Sequence, residues 1–258
     1  MNVTQPVLVA DALRITAGAR LLVDALQLLV RPGQFIAVLG RNGSGKSLTL
    51  ATLAGLRATQ AGSVALAGKS FKQQSRRAIA RQLAFLPQDR EAAFATTVLE
   101  HVLIARHPHL KLWQHTDAAD EALARAALHD VGLTGFETRS MATLSGGEQR
   151  RAAIAGLLVQ ESQLYLLDEP TNHLDPHHQV QILELFRARC ARGASVIATL
   201  HEPTMAARYA DFALLLAGDG GWRFGHCDDA LSAASLTDLY GVPMLEVNGA
   251  GRRVFAPC

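Results

Sequence analysis

The sequence predicts an α/β fold that begins with an antiparallel β-region and carries an inserted α-helical segment. Three observations support this. Strand-like apolar runs alternate with helical patterns towards both ends, a glycine-rich turn joins a strand to a helix near residue 40, and residues 95–160 show only helical spacing of apolar residues. The chain has 258 residues, of which 49% are hydrophobic, so it can bury the core of one large domain or of two modest ones.

The predicted elements of the first third are mostly strands. Residues 7–39 are typical of β-structure and end in the apolar strand 35–39, which follows a turn at 31–34. Residues 40–56 pass from the glycine-rich turn into a helix. This part is completed by a strand at 63–68, a basic helix at about 74–82 and a strand-like run at 83–88.

Strands return only after the helical middle of the chain. Strand patterns recur at 164–168, 194–200 and 212–218, and the tail at 236–243 predicts a short helix and a turn. We therefore expect an α/β core at about 1–88 and 160–258, interrupted by a helical subdomain at about 89–159.

Composition narrows the classes of function. The net charge of +2 is too small to indicate nucleic-acid binding, and the arginine clusters at 76–81 and 150–151 are typical of solvated faces. The three cysteines show no CxxC spacing, which favours a reduced, cytosolic setting. We find neither a signal-peptide pattern nor an apolar run of membrane-spanning length, so any work at a membrane needs another chain to span it.

Residues 40–47, GRNGSGKS, match the phosphate-loop pattern G-x-x-x-x-G-K-[ST] between a strand and a helix. In such a loop, backbone N–H groups curl around the β- and γ-phosphates of a nucleotide. Lys46 adds a positive charge at the γ-phosphate, and the Ser47 hydroxyl ligates Mg²⁺. The predicted nucleotide-binding residues are Gly40, Arg41, Asn42, Gly43, Ser44, Gly45, Lys46 and Ser47.

Two adjacent acids follow an apolar strand later in the chain. Asp168 ends the run LYLLD, and Glu169 comes next. A carboxylate at the carboxyl end of a strand can hold Mg²⁺ through a water molecule. Glu169 can accept a proton from the water that attacks the γ-phosphate. With a phosphate loop upstream, this pair predicts a nucleotide-hydrolysing site.

Six landmarks in a fixed order take the prediction from nucleotide hydrolysis to one family. In chain order they are the phosphate loop, Gln88 in FLPQ, LSGGE at 144–148, the strand LYLLD, Asp175 in NHLD and His201 after a strand. The chain resembles the ATP-binding subunits of ABC transporters nearly end to end. The resemblance implies a RecA-like phosphate-loop NTPase core with ATP and Mg²⁺ as cofactors. It also implies that Gln88 serves the Mg²⁺ site and catalysis, that Asp175 belongs to the D-loop, and that His201 is the switch histidine.

The LSGGE motif needs an explanation of its own, because the chain already has a phosphate loop. Ser145 and Glu148 have the S-x-x-E form of a helix capping box, but a cap needs no glycine pair, and Gly146 and Gly147 weaken a first helical turn. Bare backbone at a helix N-terminus suits a phosphate. In the family, two subunits pack head to tail and each signature motif closes over the partner's ATP. The resemblance thus implies a homodimer in which these four residues complete the other chain's site.

Two features stay open at this stage. The family usually stacks an aromatic residue on adenine, where this chain has Ala17; weaker adenine selectivity, or a cation–π contact from Arg20, follows as a hypothesis. A metal site is the less favoured interpretation of four histidines that we expect in loops or at helix starts: His107, His109, His177 and His178.

The resemblance also implies partners and a location. We expect transmembrane permease subunits near Gln88 and the helical insert, a substrate-binding protein acting indirectly, no nucleic acid, and a peripheral position on the cytoplasmic face of the inner membrane. Local similarities after Gln88 and near residue 236 favour import of iron–siderophore complexes, with haem or cobalamin as alternatives. A translation or DNA-repair ATPase of the same fold is the rival class, disfavoured by the single phosphate loop and the lack of sustained heptads between 88 and 144.

Overall fold

The computed structural model describes residues 5–88, 96–111, 114–249 and 252–258 of the chain. The first three elements are the predicted strands β1 (Leu8–Ala17), β2 (Arg20–Val30) and β3 (Phe35–Leu39). They are followed by α1 (Lys46–Leu53), β4 (Ala61–Leu66), β5 (Lys69–Ser70), α2 (Arg76–Ala80) and β6 (Leu83–Leu86). Helix α1 begins only at Lys46, so the residues before it are free to form a loop.

Three helices fill the middle of the chain, as predicted: α3 (Val98–Ile104), α4 (Ala118–Asp130) and α5 (Gly146–Val159). Each starts with a capping box, in which an N-cap side chain and a side chain three residues later satisfy each other's backbone N–H groups. The three helices pack against one another, with Val102, Leu128 and Ile154 fully buried in one cluster. Residues 89–95 and 112–113 of the predicted helical segment lie outside the described part of the chain.

The last part alternates strands and helices. Its first elements are β7 (Leu164–Leu167), α6 (Pro176–Ala191), β8 (Ser195–Thr199), α7 (Pro203–Tyr209) and β9 (Phe212–Leu216). Its remaining elements are β10 (Trp222–His226), α8 (Cys227–Ala230), α9 (Ala233–Tyr240), β11 (Met244–Gly249) and β12 (Arg252–Pro257). The predicted short helix near the end is present as α9, but the hairpin of β11 and β12 after it goes beyond the prediction of a helix and a turn.

A six-stranded sheet forms the centre of the fold, in the order β10-β9-β3-β8-β7-β6. All its strands are parallel except β10, which is antiparallel to β9. Because parallel strands end at the same edge of a sheet, the residues that follow β3, β7 and β8 meet there. This edge brings together the phosphate loop, Asp168 and the segment that contains His201.

Apolar layers cover both faces of this sheet. In β3, Phe35, Ala37 and Leu39 belong to the core shared with the helices of the middle segment, whereas Ile36 and Val38 face the second core. The second core includes the antiparallel sheet, whose strand order is β2-β1-β4-β5. Strands buried on both faces hold their loops rigidly, which suits a site built at their ends. No helix in the described residues is long and apolar enough to cross a lipid bilayer.

Candidate functional site

The phosphate loop leaves the N-terminus of α1 open. Gly45, at the N-cap, has a φ of 100°, in the left-handed region that favours glycine. A larger residue here would crowd Leu22, since an added Cβ would lie 3.1 Å from the Leu22 Cβ. No side chain caps this helix. Its first N–H groups therefore remain available to an anion, as a phosphate loop requires.

Lys46 is held over the loop that precedes it. Its Nζ donates to the carbonyl oxygens of Gly40, at 2.9 Å, and Arg41, at 3.3 Å. Burial lowers the pKa of this ammonium, while the nearby carboxylates of Glu169 and Asp168 act in the opposite direction. The lysine thus places one buried positive charge beside two acids, where a phosphate would add further counter-charge.

Oxygen donors suited to Mg²⁺ come together beside the loop. The Ser47 hydroxyl donates to Oε1 of Gln88 at 3.3 Å, so the residue after Lys46 contacts the predicted Q-loop glutamine. The Ser44 Oγ is buried without a hydrogen-bond partner in the described structure. Hydroxyl, amide and carboxylate oxygens are the ligands that Mg²⁺ prefers, and Ser47, Gln88 and Asp168 fit such an ion.

The Glu169 carboxylate is the point at which the separate motifs meet. Its Oε2 accepts from Gln88 Nε2 at 3.2 Å and from Asn172 Nδ2 at 3.1 Å, and its Oε1 lies 2.8 Å from His201 Nε2. The residue is buried, and its backbone has a φ of 50°, which is unusual for a side chain larger than glycine. Three side chains thus fix one carboxylate where a general base is predicted.

Thr199 supports both predicted acids from behind, although no motif in the sequence points to it. Its Oγ1 donates to Oδ1 of Asp168 at 2.7 Å and accepts from the backbone N–H of Glu169 at 2.7 Å. Thr199 ends β8, next to β7 in the sheet. Its position two residues before His201 was the only signal in the sequence. Asn172 was expected only as part of the NHLD motif, and its contact with Glu169 was not predicted.

An open cavity of about 500 Å³ lies over the phosphate loop, in the range of small-ligand sites. Its lining includes the apolar side chains of Ala17 and Leu22 and the polar side chains of Lys46, Gln88 and Glu169. Arg20 is not among the described residues that line the cavity, and its Nη2 donates to the carbonyl oxygen of Gly218 at 3.0 Å. The wall beside the loop therefore offers a base apolar contact from Ala17 and Leu22.

The signature residues stand apart from this cavity. Ser145 caps α5 by accepting from the backbone N–H of Glu148 at 3.3 Å, and Glu148 accepts from the backbone N–H of Ser145 at 2.6 Å. Among the described residues that line the cavity, none belongs to 145–148. Gly147 has a reason within the chain, because an added Cβ would lie 3.0 Å from the carbonyl oxygen of His173.

Asp175 has a visible structural role, as the N-cap of α6. It accepts from the backbone N–H of His178 at 2.9 Å, and its other oxygen lies 2.7 Å from His178 Nδ1. The backbone N–H, and then the imidazole, lower the pKa of this carboxyl. His177 packs edge-on against His178. In the described residues, no group of three or more histidines, cysteines and acids is placed to hold a metal ion.

Comparison with known proteins gives a consistent family. A family model for the ABC transporter matches residues 23–172. The chain is 38% identical over 250 residues to the hemin import ATP-binding protein HmuV of Deinococcus radiodurans, covering 95% of this chain and 94% of that protein. It is 32% identical over 263 residues to the petrobactin import ATP-binding protein FpuD of Bacillus anthracis, covering 97% and 96%. A solved ABC transporter in an inward-facing conformation superposes with a TM-score of 0.84, at 28% identity over 98% of both chains.

Proposed function

The chain belongs to the ABC transporter family and is an ATPase, and on this premise we propose that two copies work head to tail to power a metal-chelate importer. One observation carries the catalytic part of the proposal. The Glu169 carboxylate contacts Gln88, Asn172 and His201, so the base, the Q-loop and the switch histidine form one connected group. A nucleotide over the loop would have its γ-phosphate beside this group.

The chain's own residues divide the work of hydrolysis. Backbone N–H groups of the loop and the buried Lys46 ammonium bind the phosphates. Ser47, Gln88 and Asp168 would hold Mg²⁺, which when bound neutralises charge on the phosphate oxygens. Glu169 accepts the proton of the attacking water on a carboxylate oxygen. His201, already 2.8 Å from that carboxylate, orients it.

The direct test of the base is Glu169→Gln, which keeps the shape of the side chain and removes its basicity. ATP should still bind, hydrolysis should fall by about 10²–10⁴-fold, and an ATP-bound dimer should accumulate. Nucleotide binding, phosphate release and mass by light scattering report the three results. Glu202→Gln is the matched control, since this neighbouring acid makes no side-chain cap at α7 and should leave hydrolysis unchanged. Normal turnover in the Glu169 variant would refute the assignment.

The proposal of a dimer is supported by the position of the signature motif. Ser145, Gly146, Gly147 and Glu148 do not line the chain's own cavity, although they form a capped helix start that suits an anion. In a head-to-tail pair, each motif would cover the ATP bound by the other chain, with Asp175 near the shared surface. ATP would then close the pair and hydrolysis would release it. Permease subunits contacting the region of Gln88 and α3–α5 would receive that motion.

For the cargo, we propose iron–siderophore complexes, with haem as the second candidate because of the 38% identity to a hemin import protein. The subunit would then be peripheral, on the cytoplasmic face, beside its permease and a substrate-binding protein. The test measures ATP hydrolysis by the purified transporter when its binding protein is loaded with a ferric siderophore or with hemin. Stronger stimulation by the siderophore-loaded protein supports the first candidate, and stronger stimulation by hemin replaces it. Co-purification with ribosomes or DNA instead of a permease would contradict the importer.

A further inference from the structure

The guanidinium of Arg150 lies between the two loops that carry Gln88 and Glu169. It projects from α5, four residues after the first residue of that helix, and it is only 6% exposed. Its Nη1 donates to the carbonyl oxygen of Pro87 at 2.6 Å. Its Nη2 donates to the carbonyl oxygens of Asp168 and Glu169, the latter at 2.8 Å. One side chain thus joins the backbone before Gln88 to the backbone of both catalytic acids.

Arginine is suited to this position in a way that other residues are not. A buried cation is costly unless hydrogen bonds satisfy it, and here three carbonyl oxygens accept from its two terminal nitrogens. The planar fork of a guanidinium presents donors in fixed directions, so it can hold two separate loops at a set distance. A lysine ammonium on a flexible stem cannot hold the same three acceptors in one plane.

Helix α5 links this contact to the signature motif. The helix begins at Gly146, capped by Ser145, so the motif and Arg150 lie on the same rigid segment little more than one turn apart. A shift of the helix start therefore moves the guanidinium, and with it the backbone at Pro87 and Glu169. If two chains pair as proposed above, the motif covers the partner's ATP while Arg150 holds the base of its own chain. Helix α5 then connects the two ATP sites of the dimer.

We propose that Arg150 is a positioning residue that couples the seating of the signature motif on one ATP to the geometry of Glu169 and Gln88 at the other. When the motif closes over the partner's nucleotide, α5 sets the position of the base in its own chain. When the motif moves towards or away from that nucleotide, α5 carries the guanidinium with it and shifts the base. Hydrolysis at the two sites of a dimer is then linked through the interior of each chain.

Arg151 provides a matched control on the same helix. It is buried to nearly the same degree, at 8% exposed, and it too donates to backbone carbonyl oxygens. Its acceptors are Val131, at 2.9 Å, and Gly132, at 2.8 Å, where α4 ends, rather than the catalytic loops. Substitution of either arginine costs packing and hydrogen bonds, but only that of Arg150 should disturb the base.

The experiment compares Arg150→Lys with Arg151→Lys in the full-length chain. For each we measure ATP binding, the rate of hydrolysis against ATP concentration, and the thermal midpoint. We expect Arg150→Lys to bind ATP within about twofold of the wild type, to lose about ten- to hundredfold in kcat, and to lower the Hill coefficient towards one. Arg151→Lys should lower the thermal midpoint to a similar extent, with kcat and Hill coefficient near those of the wild type.

Two results would overturn the proposal. One is an Arg150→Lys variant with an unchanged kcat and Hill coefficient, and the other is an equal loss of kcat in both variants. Arg150→Gln, which removes the buried charge, repeats the comparison if the lysine variant does not fold. Failure of the proposed dimer is distinguishable, because the wild type itself would then hydrolyse ATP with a Hill coefficient of one, and the coupling would fall with it.

Discussion

At the scale of single residues, the site depends on one strained and well-supported carboxylate. Glu169 has a φ of 50°, and non-glycine residues in this region persist only where their surroundings over-determine them. Its side chain is fixed by Gln88, Asn172 and His201, and its backbone N–H by Thr199. The backbone strain therefore lies at the predicted general base, whose carboxylate must keep a fixed orientation towards the attacking water.

Thr199→Val tests this support, because valine keeps the shape of threonine and removes its hydroxyl. The buried N–H of Glu169 loses its acceptor and Asp168 loses a donor, which should lower the free energy of unfolding by about 1–3 kcal/mol. Hydrolysis should fall as well, since both acids lose alignment. Urea denaturation and phosphate release measure the two effects. Thr199→Ser keeps the hydroxyl and should stay close to the wild type; a valine variant as stable and active as the serine variant would contradict this role.

The sequence predicted the phosphate loop and the two acids because each belongs to a local pattern. Thr199 belongs to none, since a threonine in an apolar strand is an ordinary β-former. Its role arises only because β8 lies beside β7, which places the end of one strand against the end of the other. Arg150 was interpreted as part of a solvated basic face, whereas the structure buries it. Its acceptors lie 63, 18 and 19 residues away along the chain, beyond the reach of any local pattern.

At the scale of elements, capping side chains define where several helices begin. The Glu148 side chain accepts from the backbone N–H of Ser145, and this hydrogen bond lowers the pKa of the carboxyl below its ordinary value of 4.5. A carboxyl with a lowered pKa in the folded state stabilises that state above its ordinary pKa. The contribution is lost as pH falls through the folded-state pKa.

Glu148→Gln should therefore change the acid limb of stability. Glutamine can still accept from Ser145 but does not titrate, and near neutral pH we expect a thermal midpoint about 1–3 °C below that of the wild type. As pH falls below about 4, the wild type should lose this advantage and the two midpoints should converge. Thermal unfolding from about pH 7 to about pH 3 checks the convergence. Glu184→Gln, at an exposed acid outside any cap, should show no such trend, and a constant gap for Glu148→Gln would refute the linkage.

Most elements, but not all, were predicted from the sequence. The strands of the core and the three middle helices follow from apolar periodicity and capping residues, and the structure has them. The hairpin of β11 and β12 was missed, although in the sequence two strand-like runs flank a short stretch with glycines at 249 and 251. It is held by a distant contact, in which Phe255 and Thr204 exchange hydrogen bonds of 2.9 and 3.2 Å. Only the folded chain brings those two residues together.

At the scale of the whole molecule, the fold gathers four of the six landmarks at one sheet edge: the phosphate loop, LYLLD, Gln88 and His201. The signature motif and Asp175 do not line the cavity there. The glycine pair was interpreted as room for a phosphate. The structure gives Gly147 a second reason, its close approach to the His173 carbonyl, so the case for a partner's ATP rests more on Gly146 and on the separation of the motif from the cavity. The central claim is that each complete site is made of two chains.

Mixing two inactive variants measures this claim most directly. Lys46→Ala disables the phosphate loop, and Ser145→Arg places a bulky side chain at the exposed start of α5. Each variant alone should be inactive, because every site in its dimer lacks one half. In an equimolar mixture, each mixed dimer would keep one site with an intact loop from one chain and an intact motif from the other.

The quantity to measure is the ATP hydrolysis rate of the mixture, with each variant alone and the wild type as references. If both chains pair without preference and sites act independently, the mixture should recover about a quarter of the wild-type rate, since about half of the dimers are mixed and each has one intact site. If each chain instead used its own signature motif, no combination would contain an intact site. A mixture as inactive as its two components would contradict the account.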